Sequence, residues 1–444
     1  MRLQQRSHQP EMPVPVDNSR LKGFFRLSAE ERLQLIADIA GLSEQDIAAL
    51  SPSGGLKLGD ANNMVENVIG TMSMPIGIAT NFIIDGKHHL IPYCIEESSV
   101  IAAASNMAKR CHISGGFQTN NDDSLMIGQI QLLEIPHFET AKKAILEAKQ
   151  SLIDDCNSRQ STIIRLGGGC KDIEVRQTGI EGMMIIHIIV DCLEAMGANT
   201  VNTMTERIAP RIEALSGGRA HLKILSNLAI HRLARASATF TPEEISRDGS
   251  REDGLVVISG ILEAYQFADI DPFRATTHNK GTMNGISAVA MACGQDWRAI
   301  EAACHSYVVW DQGRYGSLTE WEQDENGSLV GRIEVPLAVG TVGGAVKVHP
   351  TAGTNMKILG VDSAKALAGV MACAGLAQNL GALRALSTSG IQSGHMRLHL
   401  RNMATTSGAK GDEIDAVSQM VEESGEPITQ SLMDAMLDKH RISD

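Results

Sequence analysis

The sequence predicts an α+β fold: a large mixed α/β domain that carries an inserted small α/β domain and ends in a helical module. Three observations predict it. The chain has 444 residues, more than a single hydrophobic core usually serves, so two or three domains are expected. Its composition is 43% apolar but only 3% aromatic, with 42 glycines, which is typical of layered α/β proteins. Apolar strand-like runs at 126–134 and 182–191 flank a helical segment over 139–156, and a helix over 197–215 and a strand over 221–225 follow. That β-α-β-α-β succession marks a small unit of its own.

Residues 1–20 are rich in Pro, Gln and Arg and read as a flexible tail. Ser28 then opens a helix, with Glu30 and Glu31 in its first turn completing a capping signature. From Ala61 to Lys109 short apolar stretches are broken by Gly and Pro: Val65 to Gly70, Pro75 to Phe82, a turn at Asp85-Gly86, and His89 to Ile95. An Ala-rich helix over Val100 to Lys109 follows, with Glu96 and Glu97 at the strand-to-helix turn. Residues 226–389 read as a helical and apolar section containing the Gly-rich run Val339 to Ala345 and a helix over Ala364 to Leu386. Gly390, Gly394 and the turn at Lys410-Gly411-Asp412 mark off a C-terminal module. The expected organisation is a tail over 1–20, a discontinuous large domain over 21–122 and 229–390, a small domain over 123–228, and a flap over 391–444.

A net charge of −13 and few aromatics argue against nucleic-acid binding by phosphate tracking or base stacking, although a local basic pocket can still hold an anionic cofactor. Eight cysteines stand singly, without CxxC or finger spacing, and read as reduced, mostly buried thiols of a cytoplasmic protein. The N-terminus lacks an apolar signal core, and no segment is read as approaching the roughly 20 apolar residues that span a bilayer. Neither a membrane partner nor a targeting segment is expected.

Between Ala275 and Asp296 the chain runs 22 residues with two formal charges, Lys280 and Asp296. Burial would disfavour the charged form of each unless they answer one another, so the pair is either a salt bridge across the ends of a helix or part of an active site. Glu96 and Glu97 are either helix-start charges or functional carboxylates. His395 and His399 stand four apart, but Met396 occupies the place of the zincin glutamate and no third ligand is evident, so no metal is expected. His395, just after Gly390 and Gly394, suits a mobile acid or base instead. Leu166 to Asp172 is either a tight turn or a backbone cradle for a phosphate. No GxGxxG, GxxxxGK[ST] or GxSxG occurs.

Glu66-Asn67-Val68-Ile69-Gly70, Glu96-Glu97, Gly167-Gly168-Gly169-Cys170, Ala195 to Asn202, His278-Asn279-Lys280-Gly281, Gly294-Gln295-Asp296, Gly340 to Gly344 and Gly394-His395-Met396, in that order, resemble the hydroxymethylglutaryl-coenzyme A reductase family, in its soluble bacterial class II branch. The resemblance covers nearly all of the chain from about residue 22. It implies a four-electron interconversion of 3-hydroxy-3-methylglutaryl-CoA with mevalonate and CoA through a mevaldehyde-level intermediate, using two NAD(P)H. It also implies a ferredoxin-like cofactor domain, a C-terminal flap, and homodimers with active sites at the subunit interface. Lys280 would stabilise the developing oxyanion, Glu97 would supply a proton to the aldehyde, and His395 would protonate the departing CoA thiolate. Asp296, placed just beyond a helix C-terminus, would hold Lys280 and Glu97 in the required protonation states. Ser99, Arg274, Asn227 and Asn284 match substrate contacts. Gly167, Gly168, Gly169, Glu194, Met196, Gly197 and Asn199 match the nicotinamide site, and Glu66 to Gly70 match the dimerisation segment.

Three positions depart from the family pattern. Glu194 replaces Asp, Ser98 replaces Pro, and Gln160 stands where NADH-using members carry an acid. Arg159 and Ser161 beside Gln160 suit a ribose 2′-phosphate, so NADPH is expected over NADH. Two other readings compete: a CoA-thioester hydrolase or acyl-CoA binding protein without redox chemistry, and a structural oligomer in which Lys280 and Asp296 form a buried bridge.

Overall fold

The computed structural model describes residues 16–51, 55–158, 162–388 and 400–443. At the N-terminal end, Ser19 is fully buried; its Oγ donates to Phe82 O (2.9 Å), and its carbonyl accepts from Asn81 N (2.9 Å). Ser19, expected within the tail, is therefore part of the fold. Helix α1 (Ala29–Ala40) starts on the expected capping box, in which Ser28 and Glu31 each accept the other's backbone N–H. Helices α2 (Glu44–Leu50) and α3 (Leu58–Met64) lead to a hairpin of β1 (Ile76–Ile84) and β2 (Lys87–Cys94). Asp85 and Gly86 turn it with φ of 50° and 76°, the double left-handed geometry that tight hairpins favour. Val65 to Gly70 forms no strand and lies exposed apart from the half-buried Val68. Helix α4 (Val100–Arg110) and β3 (Phe117–Asn121) follow.

The next stretch builds its own layer: β4 (Leu125–Leu133), α5 (Phe138–Glu147), α6 (Lys149–Asn157), α7 (Thr162–Arg165), β5 (Gly169–Gln177), β6 (Met184–Asp191), α8 (Ala198–Ser216) and β7 (Arg219–Ser226). The sheet order is β5-β6-β4-β7, antiparallel throughout. With β5 included the succession is β-α-β-β-α-β, the ferredoxin-like arrangement; the run Leu166 to Asp172, which reads in sequence as a tight turn or a phosphate cradle, contains the start of β5. Met126, Ile130, Ile145, Leu152, Ile188 and Ile212 fill a core between this sheet and its helices.

The chain then returns through β8 (Leu233–Phe240), α9 (Pro242–Ile245), α10 (Arg251–Ile270), α11 (Pro272–Ala292), α12 (Trp297–Gln312), β9 (Thr319–Gln323), β10 (Leu329–Pro336), α13 (Gly344–Val348), α14 (Pro350–Leu359) and α15 (Ala364–Ser387). A six-stranded mixed sheet of order β2-β1-β3-β8-β10-β9 results. Helix α15, built of Ala, Gly and Leu, packs on α4, α10, α11 and β8. It corrects the reading that no segment approaches membrane-spanning length: by length and composition it qualifies, with a mean hydropathy of 1.5 over its most apolar window. That window is 83% buried inside the fold, as befits a core helix. The C-terminal helices α16 (Glu413–Ser424) and α17 (Gln430–Ser443) share a separate apolar cluster with Leu400 and Met403.

Candidate active site

Helix α11 begins on a firm cap: Asp271 accepts from Arg274 N (2.7 Å) and Pro272 sets the first turn. Its inner face is held by a buried polar network. His278 Nε2 lies 2.8 Å from Ser317 Oγ and 2.9 Å from Asn379 Nδ2 on α15. Asn279 donates to Gly316 O (2.9 Å) and accepts from Leu318 N (3.0 Å). Burial, reinforced by the nearby Arg274, pushes the His278 ring down to about 3, so it is held neutral. With that face fixed, Lys280 and Asn284, one turn apart on the outer side, both reach the same carboxylate oxygen of Glu97. The Lys280 Nζ to Glu97 Oε2 distance is 2.5 Å and that from Asn284 Nδ2 is 3.4 Å.

A bridge between Lys280 and Asp296 was one of the two readings of that pair; the structure shows none, and Lys280 bridges to Glu97. Asp296 instead caps α12, accepting from Ala299 N (3.1 Å), with Arg298 3.7 Å away. Its surroundings are the donor-rich start of a helix, not the acceptor-rich end expected from its place after α11. Nor is the pair buried: the side chains of Lys280, Glu97 and Asp296 are 58%, 38% and 44% exposed in the single chain.

Ser99 stands two residues beyond Glu97 with φ 70°, at the start of α4, and makes no capping bond. Its Oγ is buried with no hydrogen-bond partner, leaving a donor and acceptor open to a ligand. Arg274 has no carboxylate within 4.0 Å among the described residues, and burial pushes its guanidinium below the ordinary arginine range. Asn227 is exposed just after β7. From Glu97, Ser98 and Ser99 a groove of about 1430 Å³ runs past Ile101 to Arg20, Lys22, Arg32 and Lys109. The sequence reading missed these cations; Arg20 had been placed in the tail, and only the fold gathers them.

A second groove of about 810 Å³ is lined by Cys156, Leu193, Glu194, Ala195, Asn199, Arg207, Val342 and Lys347. The start of α8 opens into it, and Gly197 there has φ 102° and no side-chain cap. Uncapped N–H groups beside two cations fit a dinucleotide's diphosphate. Gly167 and Gly168 spend their N–H groups on Ile164 O and Ile163 O, and Cys170 N donates to Asn157 Oδ1. That run is mainly a tight turn. Glu194 lines the groove while its carboxylate accepts from Thr341 Oγ1 (2.8 Å) and Ala364 N (2.6 Å). Arg232, also missed, is buried and donates to the carbonyls of Ala195 and Met196 (3.2 Å each), fixing that segment. Among the described residues no cluster of His, Cys, Asp or Glu suits a metal. Arg159, Gln160, Ser161 and His395, with Gly390 and Gly394, lie outside the described residues.

A family model described as hydroxymethylglutaryl-coenzyme A reductase matches residues 28–400. The chain is 53% identical over 410 residues to 3-hydroxy-3-methylglutaryl-coenzyme A reductase of Archaeoglobus fulgidus, covering 92% of each. It is 33% identical over 385 residues to the probable reductase of Borreliella burgdorferi, covering 86% of each. Among solved structures, the reductase of Streptococcus pneumoniae superposes with a TM-score of 0.80 at 37% identity, covering 94% of this chain and 99% of that one. A class II reductase of the same organism, bound to NADPH in open conformations, gives 0.79 at 38% identity, covering 83% and 99%.

Proposed function

The chain belongs to the hydroxymethylglutaryl-coenzyme A reductase family, and from that premise we propose that it interconverts 3-hydroxy-3-methylglutaryl-CoA with mevalonate and CoA at a site built on Lys280, Glu97, Asp296 and His395. The observation that carries this reading is the Lys280 to Glu97 pair at the head of a cation-lined groove. A thioester placed at the pair would extend its anionic CoA portion toward Arg20, Lys22 and Lys109. Family membership supports this over hydrolysis or simple acyl-CoA binding, because the second groove then has a use.

Each reduction needs a hydride, which a nicotinamide held in the groove beside α8 supplies. The chain's own residues manage charge and protons. Lys280 Nζ faces the thioester oxygen and stabilises the negative charge that develops there, a contribution of about 2.7 to 4 kcal/mol for one preorganised donor. His395 protonates the departing CoA sulfur, worth roughly 10² to 10⁴ in rate. Glu97, held in place by Lys280 and protonated before this step, delivers the proton that turns the aldehyde oxygen into the mevalonate hydroxyl. Ser99, with its unpartnered Oγ, and Asn284, Arg274 and Asn227 orient the substrate. Asp296 acts on the electrostatics of the pair from the cap of α12.

We assign NADPH as the cofactor, with Arg159, Gln160 and Ser161 at its 2′-phosphate and Gly167 to Gly169, Glu194, Met196, Gly197 and Asn199 around its groove. The relative of known structure that binds NADPH supports this. We assign a dimer as the working unit, with the 391–444 module as a flap. The half-exposed catalytic pair and the bare apolar side chains of Ile69 and Phe273, 100% and 86% exposed, support a partner subunit. Unpaired cysteines support a reducing, cytoplasmic setting. Nicotinamide absorbance followed with NADPH and NADH, using hydroxymethylglutaryl-CoA and then mevalonate plus CoA, tests the whole reading. Cofactor-independent CoA release would overturn it, and equal or better turnover with NADH would overturn the NADPH assignment.

A further inference from the structure

The segment ahead of α1 is clipped into an irregularity of the first hairpin. Between the pairs Ala79–Ile91 and Phe82–His89 the register of β1 on β2 shifts by one residue. Thr80 and Asn81 form the resulting β-bulge, with Asn81 at φ 71°. The Asn81 N–H turns to the segment and donates to Ser19 O (2.9 Å). Ser19 Oγ donates to Phe82 O (2.9 Å) and stands 3.0 Å from His88 Nδ1, and Ser19 N–H donates to that same nitrogen (3.2 Å). Val16 adds an isolated bridge to His88. To accept a backbone N–H, His88 must present a bare Nδ1 lone pair and carry its proton on Nε2. Burial, then the nearby His112, pushes the ring below the ordinary histidine range against the pull of Asp17, which favours that neutral form.

Ser19 is fully buried, and Leu21 packs on the cluster of Ile36, Ala40 and Leu90. With those two turned inward, Arg20 and Lys22 are left exposed along the groove that starts at Glu97. Asn18 Oδ1 accepts from Arg20 N (2.9 Å) and fixes the turn between them. Among the described residues neither cation has a carboxylate within 4.0 Å. We propose that Ser19 and His88 are positioning residues for the thioester substrate: they hold 16–22 against the bulge, so that Arg20 and Lys22 stand preformed where the phosphates of its CoA portion lie. This rests on the reading of that groove as the CoA site. A loose segment would have to be ordered on binding, and the clip removes that loss of conformational entropy beforehand. The bulge belongs to the same wall. Thr80 and Asn81 line the groove, and so do the two residues that hold them: His112 Nε2 donates to Asn81 O, and Ser105 takes Asn81 Nδ2 on its carbonyl and Thr80 N on its Oγ.

The test compares the full-length parent with His88→Ala and with His88→Asn, whose side-chain oxygen keeps an acceptor near the place of Nδ1. Hydrogen exchange read by peptide mass reports on the clip itself: 16–22 should exchange faster in His88→Ala and at the parent rate in His88→Asn. KM for hydroxymethylglutaryl-CoA should rise several-fold in His88→Ala, with kcat and the KM for NADPH unmoved, and return in His88→Asn. The KM for hydroxymethylglutaryl-pantetheine, which keeps the thioester but lacks every phosphate, should not change. Arg20→Gln combined with Lys22→Gln, both at exposed positions, should give the same KM pattern without faster exchange. Parent-rate exchange in His88→Ala would overturn the clip. Faster exchange at an unchanged KM, or an equal KM rise with the pantetheine thioester, would overturn the role given to the two cations. A parent that turns over neither thioester would overturn the reductase reading alone. Calorimetric titration with coenzyme A then decides the proposal: several-fold weaker binding in His88→Ala is expected, and equal affinity would overturn it.

Discussion

Lys280 and Glu97 are both well exposed in the single chain, and ion pairs of that kind contribute only about 0 to 1 kcal/mol to stability. Lys280→Ala should therefore melt within about 1 kcal/mol of the parent while turnover falls by roughly 10²- to 10³-fold. Calorimetry and initial rates on the same preparation separate these effects; a variant that unfolds would return the lysine to a structural role. His278 works oppositely, from the buried side. Its folded-state value is about 3 against an ordinary 6.5, so the unfolded chain takes up a proton that the fold refuses. The stability this residue confers is complete above about 6.5 and declines as pH falls toward about 3, by up to about 1.4 kcal/mol per pH unit. Urea unfolding near pH 7 and near pH 5 should show a smaller acid loss in His278→Asn than in the parent.

Gly197 joins β6 to α8 with φ 102°, and a Cβ there would fall 2.1 Å from Cys192 Sγ. Gly197→Ala should cost roughly 2 to 4 kcal/mol in strain and overpacking and raise KM for NADPH, since the start of α8 must shift. An unchanged melting midpoint would count against this. The elements that sequence reading found are those with strong local signals: the Ser28 capping box, the Asp85-Gly86 hairpin, and the long helices. It missed β8, β9 and β10. Leu233 to Phe240 is largely small residues, Thr319 to Gln323 is only five residues with two acids, and Gly331 and Arg332 interrupt Leu329 to Pro336. Such strands exist because distant partners pair with them. The site divides the same way. Lys280 and Glu97 were legible from motifs, but their direct contact spans 183 positions, and Asp296, read from the end of α11, is also the cap of α12. The basic groove, gathered from α1, α4 and the segment before α1, left no local trace.

Across the whole molecule, large apolar side chains are bare on two segments: Val65, Ile69 and Met72 after α3, and Phe267, Ile270 and Phe273 where α10 meets α11. Clusters of this kind mark association surfaces. Ile69→Lys combined with Phe273→Lys should give monomers in sedimentation, and turnover should fall with dimer content because the catalytic pair would stay open to water. A fully active monomer would exclude the interface site. Glu194 acquires a meaning at this scale that its place in the groove does not convey. Its carboxylate seizes the first amide of α15, and Asn379 on that same helix grips His278, two residues from Lys280. Helix α15 is thus a tie-rod bolted at one end to the wall of the groove proposed for the cofactor and farther along to the helix that carries Lys280, so on that reading one rigid member would set the spacing of hydride donor and oxyanion binder.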